Sequence, residues 1–199
     1  MLKTMEEVLR LAKNIKTVVL DVDGVLTPDA EYLLPGGGIA KARSHNDGQG
    51  ISLMRAIGLK VVFITSEAGD SPGCEFIGRL VEKWNDLPSS CRPGQPNGWP
   101  WVRLFTGSDP NKDKGVLLNE WLTEQNLSIE DCAVMGDDLV DAPMLRLAGF
   151  KIAPAQAEKI VLEMVDWITP RPGGGGAVRD LANLLLVARG INPFSLPTR

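Results

Sequence analysis

Hydrophobic positions along this chain alternate between two rhythms. Met5, Val8, Leu9 and Ala12 recur at helical spacing and predict an amphipathic helix over residues 3–14. Residues 17–22 are β-branched or apolar apart from Asp21, the pattern of a buried strand. Segments 31–34 and 39–43 flank a Pro-Gly-Gly-Gly turn and predict a short hairpin. A helix over 50–57 stops at Gly58, and residues 60–65 read as a second buried strand. Ser71 and Pro72 suit the N-cap and first position of a helix running to about Trp84.

The rhythm then repeats. Residues 101–105 predict a third strand, and Asp109-Pro110 opens a helix whose stripe is Leu117, Leu118, Trp121 and Leu122. Residues 132–135 predict a fourth strand, 139–148 a helix stopping at Gly149, and 150–153 a fifth strand. Val178, Leu181, Leu185 and Ala188 mark a last helix. Strands that are apolar throughout, alternating with helices, imply an α/β fold with a parallel five-stranded sheet covered on both faces. A length of 199 residues fits one domain over 1–199.

Composition narrows the chemistry. The net charge of −4, with no block of Lys or Arg, argues against nucleic acid as a partner. No apolar run approaches the length of a membrane span. A single His, His45, excludes a His pair or a His-rich zinc site. Cys74, Cys91 and Cys132 form no CxxC pair and read as free thiols of a reducing compartment. With Glu6 and Glu7 interrupting the N-terminal apolar residues, the expected location is the cytoplasm. The chain has 21 Gly and 14 Pro, and their excess clusters at 35–38, 88–100 and 170–176, which makes those stretches loops.

The densest chemistry follows the first strand, in Asp21-Val-Asp-Gly-Val-Leu-Thr27. Ligands of open α/β sheets bind outside such strand ends. Asp21 and Asp23 share a face if the strand stays regular, and two carboxylates so close call for a cation or a shared proton. Gly24 permits a sharp turn and offers an N–H to an anion. A strand end capped by Asp with a turn Gly is the plainer reading of this segment alone. Thr65 ends the second strand at the same edge, and Lys114 lies in the first turn of its helix, where the dipole favours an anion. Lys112 competes for the same role. Gly136-Asp-Asp-Leu-Val-Asp141 sets three carboxylates at the fourth strand's end, a donor set for a hard cation such as Mg²⁺; a solvated acidic loop is the alternative.

This order of motifs resembles the haloacid dehalogenase superfamily of phosphatases. A closer resemblance is to the small-cap branch acting on 3-deoxy-D-manno-octulosonate 8-phosphate (KDO 8-phosphate) and on nine-carbon, sialic-type relatives. Asp47-Gly-Gln-Gly-Ile51 and the glycine run leading to Asp180 look like that branch. The resemblance implies Asp21 as nucleophile, Asp23 as general acid and base, and Thr65 and Lys114 as holders of the phosphoryl group. It implies Mg²⁺ on Asp21, the carbonyl of Asp23 and Asp137, with Asp138 or Asp141 behind them. Gly24, Asp47, Ser66 and Glu67 are the implied substrate contacts. The resemblance also implies a flap hairpin at about 29–44 in place of a large cap, and a homotetramer that takes a sugar phosphate as substrate.

Three departures from that branch stand out, the first two of them where the family reads the sugar. Thr65 is followed by Ser66-Glu67 where Gly-Arg is usual, Gly175 stands where the glycine run often has Arg, and the 87–101 connection is long. Two other readings compete. One is a phospho-acceptor receiver domain, which orders its acidic pair and Lys differently; the other is an inactive oligomerisation domain like the tail of some sialate cytidylyltransferases. The tail at 191–199, with Pro193 and Pro197, cannot prolong the last helix.

Overall fold

A computed structural model describes residues 2–87, 89–90, 98–107, 109 and 111–196. Helix α1 (Met5–Lys13) opens with a reciprocal capping box between Thr4 and Glu7. Strand β1 (Thr17–Leu20) follows, then the hairpin strands β2 (Tyr32–Leu33) and β3 (Ile39–Ala40). Next come α2 (His45–Ala56), β4 (Lys60–Ile64), α3 (Pro72–Asn85), β5 (Val102–Phe105) and α4 (Lys114–Glu124). The chain continues through β6 (Cys132–Met135), α5 (Ala142–Leu147), β7 (Phe150–Ala153), α6 (Lys159–Leu162), β8 (Trp167–Ile168) and α7 (Ala177–Ala188).

The sheet order is β5-β4-β1-β6-β7-β8, and every pairing is parallel. The α/β expectation therefore holds, with six strands instead of five. The extra strand, β8, has only two residues and carries no readable period. Alternation along β1 divides the core: Val18 and Leu20 pack with α1, α2, α3 and α7, while Val19 packs with α4, α5 and α6. The crossovers through α2 and α3 build the sheet outward from β1 to β4 and β5. The crossover through α4 then returns to the other side of β1 at β6. The order reverses between β1 and β6, and that is where a crevice opens in such sheets.

Several boundaries move for physical reasons. β1 ends at Leu20, so Asp21–Asp23 lies in a turn and not on a strand face. Helix α2 starts at His45, five residues before the expected Gly50, because Ser44 caps it by accepting the N–H of Asn46. Gly48 and Gly50 obscure the helical signal. Gly50 is needed for packing, since a Cβ there would lie 2.9 Å from the Cα of Arg179 in α7. The expected helix at 139–148 divides into a 3₁₀ turn at Leu139–Asp141 and α5, with Pro143 in the first turn. Helix α4 begins at Lys114 under an Asp113 cap, not at Asp109-Pro110.

The long connection at 87–101 falls largely outside the described residues, as does Cys91. Its two ends are tied down by Arg55. That fully buried guanidinium donates to the carbonyls of Trp84 and Pro100 and to Ser90 Oγ, and it lies over the Trp99 ring. Burial pulls its pKa down to about 10. After α7 the chain turns at Gly190 (φ +64°) into a short 3₁₀ turn at Pro193–Ser195, and residues 197–199 lie outside the described residues.

Candidate active site

Asp21 is the first residue beyond β1 and is 5% exposed. Its N–H donates to Met135 of β6, which fixes the backbone across the reversal point. On the β6 side, Gly136 is followed by Asp137, 6% exposed. Lys114, the first residue of α4, donates at 2.7 Å both to Asp21 Oδ1 and to Asp141 Oδ1. The other oxygen of Asp141 accepts the N–H groups of Asp137 and Asp138, so this fully buried carboxylate aims both neighbours and the ammonium. Lys112 turns away to pair with Glu120, which leaves Lys114 as the lysine of the cluster.

Charge crowding governs the titration here. Burial and the Asp141 carboxylate push Asp21 up to about 8, against the pull of Lys114. Burial, Asp141 and Asp29 likewise raise Asp137 to about 7. Burial tends to lower Lys114, but Asp21 and Asp141 outweigh it and hold the ammonium above its ordinary value. The nearest oxygens of Asp21, Asp137 and Asp141 lie within 4.8 Å of one another. This buried, all-oxygen set with excess negative charge fits a hard divalent cation. Asp141 already spends its oxygens on Lys114 and two amides, so Asp21 and Asp137 are the side chains with capacity for one.

The remaining expected residues gather around a cavity of about 130 Å³, lined by Asp21, Asp23, Thr65, Ser66, Lys114 and Asp137 among others. Thr65 is buried, and its hydroxyl oxygen accepts the N–H of Glu67. Asp138 and Ser66 are exposed at the rim. Gly24 adopts φ +74°, and a Cβ there would fall 1.9 Å from Asp137 Oδ2. Only glycine lets that carboxylate stand against the turn. Asp23 Oδ1 accepts from Thr27 and from Lys41, and Glu67 accepts from Ser71 and Lys41.

Asp47 is placed elsewhere. It is fully buried in the first turn of α2, and its Oδ1 accepts the N–H of Arg179 at 3.0 Å, near the start of α7. Gly176 has no capping side chain, so Asp47 supplies from another helix the acceptor that α7 lacks. The glycine run also has a role within the fold. Gly173 packs on the Gly24 carbonyl, where a Cβ would come within 1.8 Å, and Gly174 donates to Val25. Gln156 clamps the two loops, donating to Gly24 O and accepting from Gly173 N. Neither Lys41 nor Gln156 was among the residues expected from sequence. A lone Lys in a hairpin and a lone Gln in a loop carry no periodic or motif signal.

A larger cavity, about 700 Å³, opens at the opposite edge of the sheet, lined in part by Lys13, Lys16 and Arg189. Helices α1, α2 and α7 all end there; Lys16 pairs with Asp131, and Arg189 donates to the carbonyl of Ile15.

Residues 108–179 match the model of the haloacid dehalogenase-like hydrolases. The KDO 8-phosphate phosphatase KdsC of Salmonella typhi is 30% identical over 92% of this chain and 85% of its own length. The chain belongs to this family. It is a phosphatase of the KDO 8-phosphate phosphatase type. The Moraxella catarrhalis KDO 8-phosphate phosphatase, solved with magnesium, phosphate and KDO, superposes with a TM-score of 0.77 at 28% identity. That match covers 94% of each chain. The cobalt-bound phosphatase of Haemophilus influenzae superposes with a TM-score of 0.73 at 27% identity, covering 90% of this chain and 92% of that one.

Proposed function

We propose that the chain is a Mg²⁺-dependent phosphomonoesterase that removes phosphate from an eight- or nine-carbon ulosonic acid through an aspartyl-phosphate at Asp21. The observation that carries this reading is the buried Lys114 ammonium, bonded at 2.7 Å to both Asp21 and Asp141 at the edge where β1 and β6 end. Asp21, Asp137 and the carbonyl of Asp23 would hold the cation, which when bound offsets charge on the phosphoryl oxygens.

Asp21 attacks phosphorus as the ester P–O bond breaks, and Asp23 gives its proton to the departing alkoxide. Asp23 then takes a proton from water as that water attacks the aspartyl-phosphate, releasing inorganic phosphate and restoring Asp21. Thr65 donates its hydroxyl and Lys114 its ammonium to the phosphoryl oxygens throughout. Ser66 and Glu67 border the cavity in which the sugar would sit. The substrate class comes from the relatives, and nine-carbon acids are included because the resemblance that names the branch extends to them. The working form is a cytoplasmic homotetramer, supported by the apolar exposure of the hairpin at Tyr32, Leu33 and Leu34.

Phosphate release from KDO 8-phosphate and from nine-carbon 9-phosphates, with Mg²⁺ and with a chelator, tests the proposal. Steady, Mg²⁺-dependent turnover of at least one is expected. A single round of self-labelling would indicate a receiver, and no reaction at all would indicate an inactive module.

A further inference from the structure

The Lys41 side chain is 4% exposed, although it lies just beyond β3 in a hairpin whose strands are open to solvent. Its ammonium reaches three carboxylates on three segments: Asp23 at 2.7 Å, Glu31 at 2.9 Å, and Glu67. Asp23 belongs to the turn after β1 and Glu67 to the turn after β4. Glu31 and Lys41 flank the two hairpin strands. One cation thus joins the base of the flap to both loops that border the cavity.

Asp23 and Glu67 face one cavity, and the Lys41 ammonium stands between their carboxyl groups and donates to both. Glu67 is in turn fixed by Ser71 Oγ at 2.6 Å, and a Cβ on Gly73 would lie 2.2 Å from its Oε2. Lys41 is therefore held against a partner that is itself hydrogen-bonded, and it links that partner to Asp23. With three carboxylates around it, the ammonium has no excess charge to attract an anion. Phosphate is left to Lys114.

We propose that Lys41 is a positioning residue of the phosphatase: docking of the flap brings its ammonium between Glu67 and Asp23 and sets the direction of the Asp23 carboxylate. This rests on Asp23 being the acid and base of the reaction. A misdirected acid penalises leaving groups that need a proton and spares those that do not.

The test compares kcat/KM on KDO 8-phosphate and on 4-nitrophenyl phosphate for wild type, Lys41→Met, Lys41→Arg and Asp23→Asn, with thermal unfolding of each. Lys41→Met is expected to lose on the order of 10²-fold more on the sugar phosphate than on the aryl phosphate. Lys41→Arg, which keeps the charge, should recover most of that selectivity. Combining Lys41→Met with Asp23→Asn should add little selective loss beyond Asp23→Asn alone. Equal losses on both substrates in Lys41→Met, alongside a selective loss in Asp23→Asn, would overturn the role of Lys41 and leave that of Asp23 intact. Absence of a selective loss in Asp23→Asn would overturn the reading beneath it. If Lys41→Met does not fold, wild-type selectivity in Lys41→Arg supports the proposal and a substrate-independent loss there contradicts it.

Discussion

Gly24 shows how closely single residues are constrained. Its positive φ and the Asp137 carboxylate beside it leave no room for a side chain. Gly24→Ala is expected to cost about 1–3 kcal/mol in stability from backbone strain. It should also displace Asp137, so Mg²⁺ affinity falls together with kcat; an activity assay over a Mg²⁺ titration measures both. Asp21 and Asp137 allow a second expectation. A carboxyl whose native pKa lies above its unfolded value makes the folded state bind more protons between the two values. In a chelator, stability is therefore greatest at the acid end and falls as pH rises toward about 7 to 8, through the raised values of Asp137 and Asp21. Mg²⁺ favours the ionised pair, so its stabilisation should be larger at pH 8 than at pH 5. Thermal unfolding at both pH values checks this, and a Mg²⁺ shift independent of pH would count against the pair as ligands.

Among the elements, α2 and α7 are joined by Asp47 and by the close approach at Gly50. Asp47→Ala should cost about 1–2 kcal/mol, the usual loss for a removed helix cap. Its kcat and KM should stay within about threefold of wild type, because the chemistry is elsewhere. A rise in KM alone would return Asp47 to the substrate. The motif DGQG was legible, but its meaning was not: a buried acid near a glycine reads alike whether it meets a ligand or a neighbouring helix. The same holds for the glycine run, whose Gly173 and Gly174 pack beneath the Asp21–Gly24 turn. Strands β1, β4 and β6 were plain in the sequence because, after the leading Thr17 and Lys60 of the first two, each is buried on both faces and apolar. Two-residue β8 and four-residue α6 are shorter than any period that could reveal them.

At the scale of the molecule, the residues spaced along the chain as Asp21, Thr65, Lys114 and Asp137 meet because β1, β4 and β6 are adjacent and parallel. That convergence could be read from motif order once each motif was assigned to a strand or helix end. Lys41 could not, since its partners lie 10, 18 and 26 residues away in three different turns. The hairpin sets one further expectation. Tyr32 and Leu33 are 65% and 81% exposed, an apolar surface that a homotetramer would cover. Leu33→Glu should shift the molecular mass in analytical ultracentrifugation from tetramer toward monomer, and an unchanged mass would place the interface elsewhere.

Turnover through an aspartyl-phosphate needs Asp21 as its nucleophile, and turnover of KDO 8-phosphate by Asp21→Asn at saturating Mg²⁺, with circular dichroism to establish the fold, tests that role. A folded protein with no measurable phosphate release is expected. Retention of about a tenth or more of wild-type kcat would contradict it.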